Sequence, residues 1–229
     1  MAINTATKMQ APIKSAADHF VECMNNATHN TYPYDNWLLE DVLPESVIDA
    51  VLDLPFAPPE IGAFGGSRES NNSTRVYFNP ENQDKYPVCR EVVEAFADPA
   101  VIATLERVTG ANLSKTLLRI EHCQDTDGFW LAPHPDISVK RFSMLLYLSD
   151  DANLADAGTD MYHMPPEFKW AGRAPYGKNK GMIFIPAANT MHGYTPRTIN
   201  GIRKSLMINY VTQDWRNTHE LTSMQTVAD

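Results

Sequence analysis

Apolar positions in the first half of the chain recur at helical spacing. Across residues 45–54, Val47, Ile48, Val51 and Leu52 fall on one stripe, and Pro44 stands near the first turn, so the segment predicts an amphipathic helix. A second helix is punctuated at both ends. Asp98 is its cap, Pro99 its first residue and Gly110 its stop, with Val101, Ile102, Leu105 and Val108 on the buried stripe. Between the two, residues 86–96 predict a further helix and residues 75–78 a short strand. Residues 61–74 (IGAFGGSRESNNST) carry no period and read as a mobile loop.

From Leu117 onward the texture is that of strands. Residues 117–123, 141–148, 182–186 and 205–211 are rich in Leu, Ile, Tyr and Phe, and turn-forming clusters at 149–158 and 195–201 separate them. Within 141–148 the side chains alternate. Phe142, Met144, Leu146 and Leu148 share one face, and Arg141, Ser143, Leu145 and Tyr147 the other. Short strands with long connections predict an α+β fold: a double-stranded β-helix (jelly-roll) core with N-terminal helices packed on the outside. One domain is expected over 1–229, helix-rich to about residue 115 and barrel-like over about 116–213.

Composition narrows the function classes. The net charge of −9 disfavours nucleic acid, whose phosphates are drawn to basic faces, and no Lys/Arg run offers one locally. Three cysteines, Cys23, Cys89 and Cys123, are odd in number and form no CxxC. They suggest neither a disulfide framework nor a zinc knuckle, and fit a reducing cytoplasm. Residues 1–24 lack a long apolar run and include Lys14, Asp18, His19 and Glu22, so they do not read as a signal peptide. No stretch has the length of a membrane span. The expected partner is a small molecule, with no nucleic acid and no membrane; a homodimer stays open.

Candidate chemistry begins at Ala132-Pro133-His134-Pro135-Asp136. Each proline pushes the residue before it toward extended geometry. In an extended chain His134 and Asp136 face the same side about 7 Å apart, a spacing that suits two vertices of one metal ion. A third ligand must come from elsewhere, and Met191-His192-Gly193-Tyr194, after an apolar strand, supplies His192. Two histidines and one carboxylate leave three positions open, the arrangement of non-haem Fe(II) oxygenases. A lone His-x-Asp occurs often by chance and Pro135 could simply mark a turn, so the triplet needs support. That support is Arg203-Lys204-Ser205, in which Arg203 and Ser205 alternate onto one strand face. Guanidinium plus hydroxyl is a receptor for a carboxylate, and an arginine inside a barrel is costly without an anion. The bland alternative is an arginine paired with an aspartate.

Together, HPD at 134–136, the later His192 and Arg203-x-Ser205 resemble the HxD…H…RxS pattern of the 2-oxoglutarate/Fe(II) dioxygenases, with the flanking texture of their prolyl-hydroxylase-like branch. The resemblance covers roughly residues 117–212. It implies catalysis with Fe(II), 2-oxoglutarate and O2, the metal on His134, Asp136 and His192 and the co-substrate on Arg203 and Ser205. Succinate and CO2 would be released. Related halogenases replace the carboxylate ligand with a small residue; this chain keeps Asp136, so hydroxylation is the default outcome. Two features depart from the pattern. Asp156-Ala157-Gly158-Thr159-Asp160 stands where a glycine pair usually lies, and Glu121-His122-Cys123 where a tyrosine is often found. Residues 61–75 and 150–180 are candidates to roof the pocket. Arg68, Arg75, Arg173 and Arg197 are available for an acidic group, and Tyr162 and Trp170 for aromatic contact, although arginines are mostly exposed or ion-paired. A small polar metabolite is the expected substrate. The rivals are a cupin-like metalloprotein of other chemistry and a non-catalytic binding protein with a vestigial site.

Overall fold

The computed structural model describes residues 14–59, 66 and 75–227. Five helices stand among them: α1 (Ala16–Asn25), α2 (Glu45–Leu52), α3 (Pro80–Lys85), α4 (Pro87–Ala97) and α5 (Pro99–Thr109). The punctuation read from sequence is physical. Asp98 accepts from the Ala100 amide, Pro99 opens α5, and Gly110 closes it at φ 72°, a left-handed conformation that costs glycine nothing. Helix α1 was not anticipated, although Ser15 caps it and Ala16, Phe20, Cys23 and Met24 form its buried stripe. Helix α3 is one short exposed turn and a half, set by the Asn79 cap and Pro80, with no buried stripe to announce it.

Eleven strands build two antiparallel sheets among the described residues. These are β1 (Thr28–Asn30), β2 (Asn36–Glu40), β3 (Val76–Tyr77), β4 (Leu117–Asp125), β5 (Leu131–His134), β6 (Lys140–Tyr147), β7 (Asp160–Tyr162), β8 (Trp170–Arg173), β9 (Lys180–Phe184), β10 (His192–Tyr194) and β11 (Arg203–Val211). The larger sheet runs β1-β2-β9-β6-β11-β4-β3 and the smaller β5-β10-β7-β8, the two walls of the expected double-stranded β-helix. The helices cover the outer face of the larger sheet. Phe142, Met144, Leu146 and Leu148 pack there with Phe20, Ile48, Phe96 and Leu105, whereas Leu145 and Tyr147 join Tyr34, Phe184 and Tyr194 between the sheets. Alternation in β6 therefore separates two apolar environments rather than core from solvent. The loop expected over residues 61–74, and Arg68 with it, lies outside the described residues except for Gly66.

Strand β4 also shows how burial couples this fold to pH. His122 points to the helix side, 3 % exposed, its ring edge-on to Phe56 at 5.5 Å. Burial first, then Lys204 and Arg75, push its pKa down to about 4. An unfolded histidine titrates near 6.5, so the neutral His122 contributes stability above that pH, and the contribution is lost as pH falls toward 4. In thermal melts of the metal-free protein from pH 7 to 4, His122→Phe should lose less stability than the parent. Parallel curves would remove His122 from this account.

Candidate metal centre

His134 ends β5 and His192 begins β10, and the two are direct partners in the antiparallel ladder. Pro133 is tolerated because β5 is an edge strand of the smaller sheet and need not donate outward. The rings of His134 and His192 lie 4.5 Å apart between centroids, and Asp136 completes a group whose ligand atoms are all within 4.8 Å of one another. Gly193 makes the close strand pairing possible: a Cβ there would sit 2.6 Å from the Leu131 carbonyl oxygen.

The donor set suits a divalent metal. Nδ1 of His134 lies 2.9 Å from the Ala132 carbonyl, and Nδ1 of His192 lies 2.9 Å from the Thr190 carbonyl. Bonds of this kind hold the proton on Nδ1 and make Nε2 the coordinating nitrogen. Burial pushes the His192 pKa down to about 4, so the ring is neutral near pH 7, as a ligand must be. Phe184 packs on the same ring at 4.6 Å and fixes its tilt. The Asp136 carboxylate accepts from Lys140 Nζ at 2.7 Å and Ser143 Oγ at 2.6 Å, which sets its orientation.

The triad opens into a partly enclosed cavity of about 60 Å³, room for a few water-sized groups, which Arg75, Arg203 and Ser205 also line. Strand register puts them there. Arg203 lies opposite Asp125, and Ser205 lies between Cys123 and Tyr147. Arg203 is buried and paired: Nη1 donates to Asp125 at 2.6 Å, Nε to the Ala157 carbonyl at 2.6 Å, and Nη2 to Thr159 Oγ1 at 3.4 Å. Burial opposes its charge, but Asp125 outweighs the penalty and its pKa is raised. Asp125 is thus one anion beside the inward Arg203, the pairing that the sequence had left open as an alternative. Of the described side chains that line the cavity, Ser205 and Arg75 each bury a polar atom, Oγ and Nη1, without a hydrogen-bond partner.

The sequence-level substrate candidates divide. Arg75 lines the cavity. Tyr162, Trp170 and Arg197 do not, because they serve the wall instead. Buried Asp160 accepts from Trp170 Nε1, Arg173 Nε, Arg197 Nη1 and the Thr195 amide, and Tyr162 bonds Thr195 Oγ1. Arg197 further stacks on Tyr194 and donates to the Gly158 carbonyl. Gly158 is itself required there, as a Cβ would lie 1.7 Å from the Ala174 carbonyl oxygen. Most polar groups of Tyr162, Trp170 and Arg197 bond Asp160 and its neighbours, Arg197 Nε excepted, and none of the three is among the residues that line this cavity.

Sequence reasoning passed over Lys140, Ser143, Asp125 and a buried chain behind them. Ser143 and Arg119 both bond Asn209, and Arg119 grips Glu121 through two bonds and Glu220 through a third. The signal was present. Arg119, Glu121, Cys123 and Asp125 alternate along one face of β4, and charges in that pattern belong inside a polar barrel.

No family model matches the sequence, and no curated protein matches it. The structure does match. A Pseudomonas putida prolyl-4-hydroxylase superimposes with TM-score 0.58 at 12 % identity, over 85 % of this chain and 99 % of that one. The fold is that of the 2-oxoglutarate/Fe(II) oxygenases. A Trichoplax adhaerens prolyl hydroxylase, solved with a hypoxia-inducible-factor peptide, gives 0.56 at 12 % identity over 86 % and 89 % of the two chains. A non-haem α-ketoglutarate-dependent epimerase of nogalamycin biosynthesis gives 0.50 at 14 % over 86 % and 83 %. At such identity the likeness shows the fold alone, while the His134, Asp136 and His192 group could hold a metal ion. Among the described residues no helix is long and apolar enough to cross a membrane.

Proposed function

We propose that this protein is an Fe(II)- and 2-oxoglutarate-dependent oxygenase that hydroxylates an unactivated C–H bond of a small polar molecule. The observation that carries the reading is one cavity walled by the His134–Asp136–His192 group at one end and by buried arginines at the other. A cupin-like protein would have no use for the arginines, and a decayed site no reason to keep both ends.

Charge supports the pairing of metal and diacid. Around the cavity four cations, Arg75, Arg119, Lys140 and Arg203, meet four acids, Glu121, Asp125, Asp136 and Glu220, none of these side chains more than 8 % exposed. The protein's own charges cancel. A dication alone or a dianion alone would leave net charge in a buried site, which is costly; together they leave none. Each should therefore bind better in the presence of the other.

Bound iron with 2-oxoglutarate supplies oxidative decarboxylation, turning O2 into the C–H oxidant and giving succinate and CO2. The chain's part is to hold and to exclude. His134, Asp136 and His192 would hold the metal. Lys140 and Ser143 hold the carboxylate of Asp136 in place, and Phe129, Leu131, Leu145, Phe184 and Met207 give the cavity apolar walls that limit water. Retention of Asp136 keeps that vertex filled, which favours hydroxylation over halogenation.

Anaerobic titration with Fe(II) and then 2-oxoglutarate tests the class. A weak visible metal-to-ligand charge-transfer band should appear only when both are present, and admitting O2 should yield succinate. Absence of the band at saturating concentrations would refute the reading. Succinate release against pools of small polar metabolites, with peptides as the competing class, then identifies the substrate.

A further inference from the structure

We propose that an open groove beside the metal cavity is a binding site for a phosphate dianion, free or as the ester of a small molecule. The groove lies at the end of the larger sheet where β4 and β6 begin and β9 and β11 end, against the turn that joins α5 to β4. Its volume of about 570 Å³ is room for a small ester and not merely for an ion. Lys140 lines both the groove and the metal cavity, and in the latter its ammonium donates to Asp136. The site goes beyond the oxygenase reading and does not depend on it.

Two exposed cations line the groove, Lys115 from the turn and Arg141 from β6. A β-bulge aims the second. In the ladder between β6 and β11, Tyr210 opposes Phe142 and Val211 opposes Lys140, so Arg141 is the extra residue. In strict alternation Lys140 would share the helix-side face of Phe142; the bulge instead lets it join Ser143 on Asp136 and leaves Arg141 outside the ladder. Among the described residues neither Lys115 nor Arg141 has an ion pair or a side-chain hydrogen bond, and no carboxylate lines the groove. The acids at its margin, Glu106 and Asp214, accept from the Leu113 amide and the Thr212 hydroxyl and are not lining residues. In a chain with 28 acidic against 19 basic residues, a concave surface that holds cations only is a selective exception. Ser114, Asn112 and Gln213 add neutral donors, and the Asn112 Oδ1 accepts from the Ser114 amide, which leaves its amino group to donate outward. A phosphate offers two charges and three acceptor oxygens to a guanidinium fork, an ammonium and these donors, whereas a single carboxylate would leave one cation unmatched.

Titration of the protein with inorganic phosphate and with glycerol 3-phosphate at constant ionic strength, followed by phosphorus NMR, tests the site. Binding should saturate, and Lys115→Gln and Arg141→Gln should each weaken it by roughly 3–10-fold, the range for one charge-assisted contact at a partly solvated site. The effects should multiply in the double variant. Both side chains are exposed, so thermal midpoints should stay within about 2 °C of the parent. Arg90→Gln, on the exposed face of α4, removes a cation elsewhere and should leave the affinity unchanged. A tighter fit for glycerol 3-phosphate would assign the groove to an ester, and equal affinity to the free ion; either upholds the site. Binding that never saturates in the parent overturns the proposal. So does phosphate affinity that survives in the folded double variant, as it would if the anion entered the barrel instead, or that falls equally in Arg90→Gln. Each of these failures leaves the charge-transfer test of the oxygenase reading untouched.

Discussion

Replacing His192 with alanine should weaken Fe(II) binding by more than about 100-fold and abolish both the charge-transfer band and succinate formation. Changes to groups that merely orient a metal ligand already cost about 10–100-fold, and His192 belongs to the ligand group itself. The ring is buried, neutral and fixed from three sides: by the Thr190 carbonyl, by Phe184 and by its ladder partner His134. Alanine keeps the small β10 backbone beside Leu131, so the fold should survive and the loss can be read as one of metal. The check is Fe(II) titration with the thermal midpoint measured alongside. Retained iron affinity in a folded His192→Ala protein would dissolve the site.

The second large effect concerns stability. Arg119 is 1 % exposed, bonded to Glu121 twice, to Glu220 and to Asn209, and sandwiched between Tyr77 and Trp215 with its guanidinium carbon 4.9 Å from each ring. Burial works against the Glu121 charge, but Arg119 and then Arg75 overcome it and hold its pKa down to about 2. Arg119→Met would strand two buried carboxylates, one on β4 and one in the short turn Thr218–Glu220 near the C-terminus. The expected cost is about 3–5 kcal/mol, the range for removing one partner of a buried ion pair. For a chain of this size it should lower the thermal midpoint by roughly 6–20 °C. Converting Glu121 and Glu220 to glutamine in the same protein should recover part of the loss, because the uncompensated charge goes with them. A midpoint shifted by less than a degree would show that the network carries no such load.

The residues behind these two effects carry unequal signals in the sequence. The metal ligands were legible because proline restricts its neighbours and because an extended chain places alternate residues on one side, so His134 and Asp136 were a pair before any fold was known. Helix α5 was legible from its cap, proline and glycine, each of which acts through local backbone geometry. Residues 141–148 gave the correct division of faces for the same reason. Helix α1 and the β1–β2 hairpin were missed. The helix has a short stripe, and β2 earns its place by pairing with β9 far along the chain.

The sequence alone determined the class of fold, the identity of the three candidate ligands and the need for an anion beside Arg203, since these follow from local conformational preference and from the chemistry of the side chains. Only the tertiary structure decided which anion that is. The register of β11 on β4 sets Asp125 against Arg203, with Arg75 on the same acid, while Asp160 draws Trp170, Arg173 and Arg197 into the wall. Charge balance in a buried site is a sum over residues distant in the chain, and no local pattern contains it.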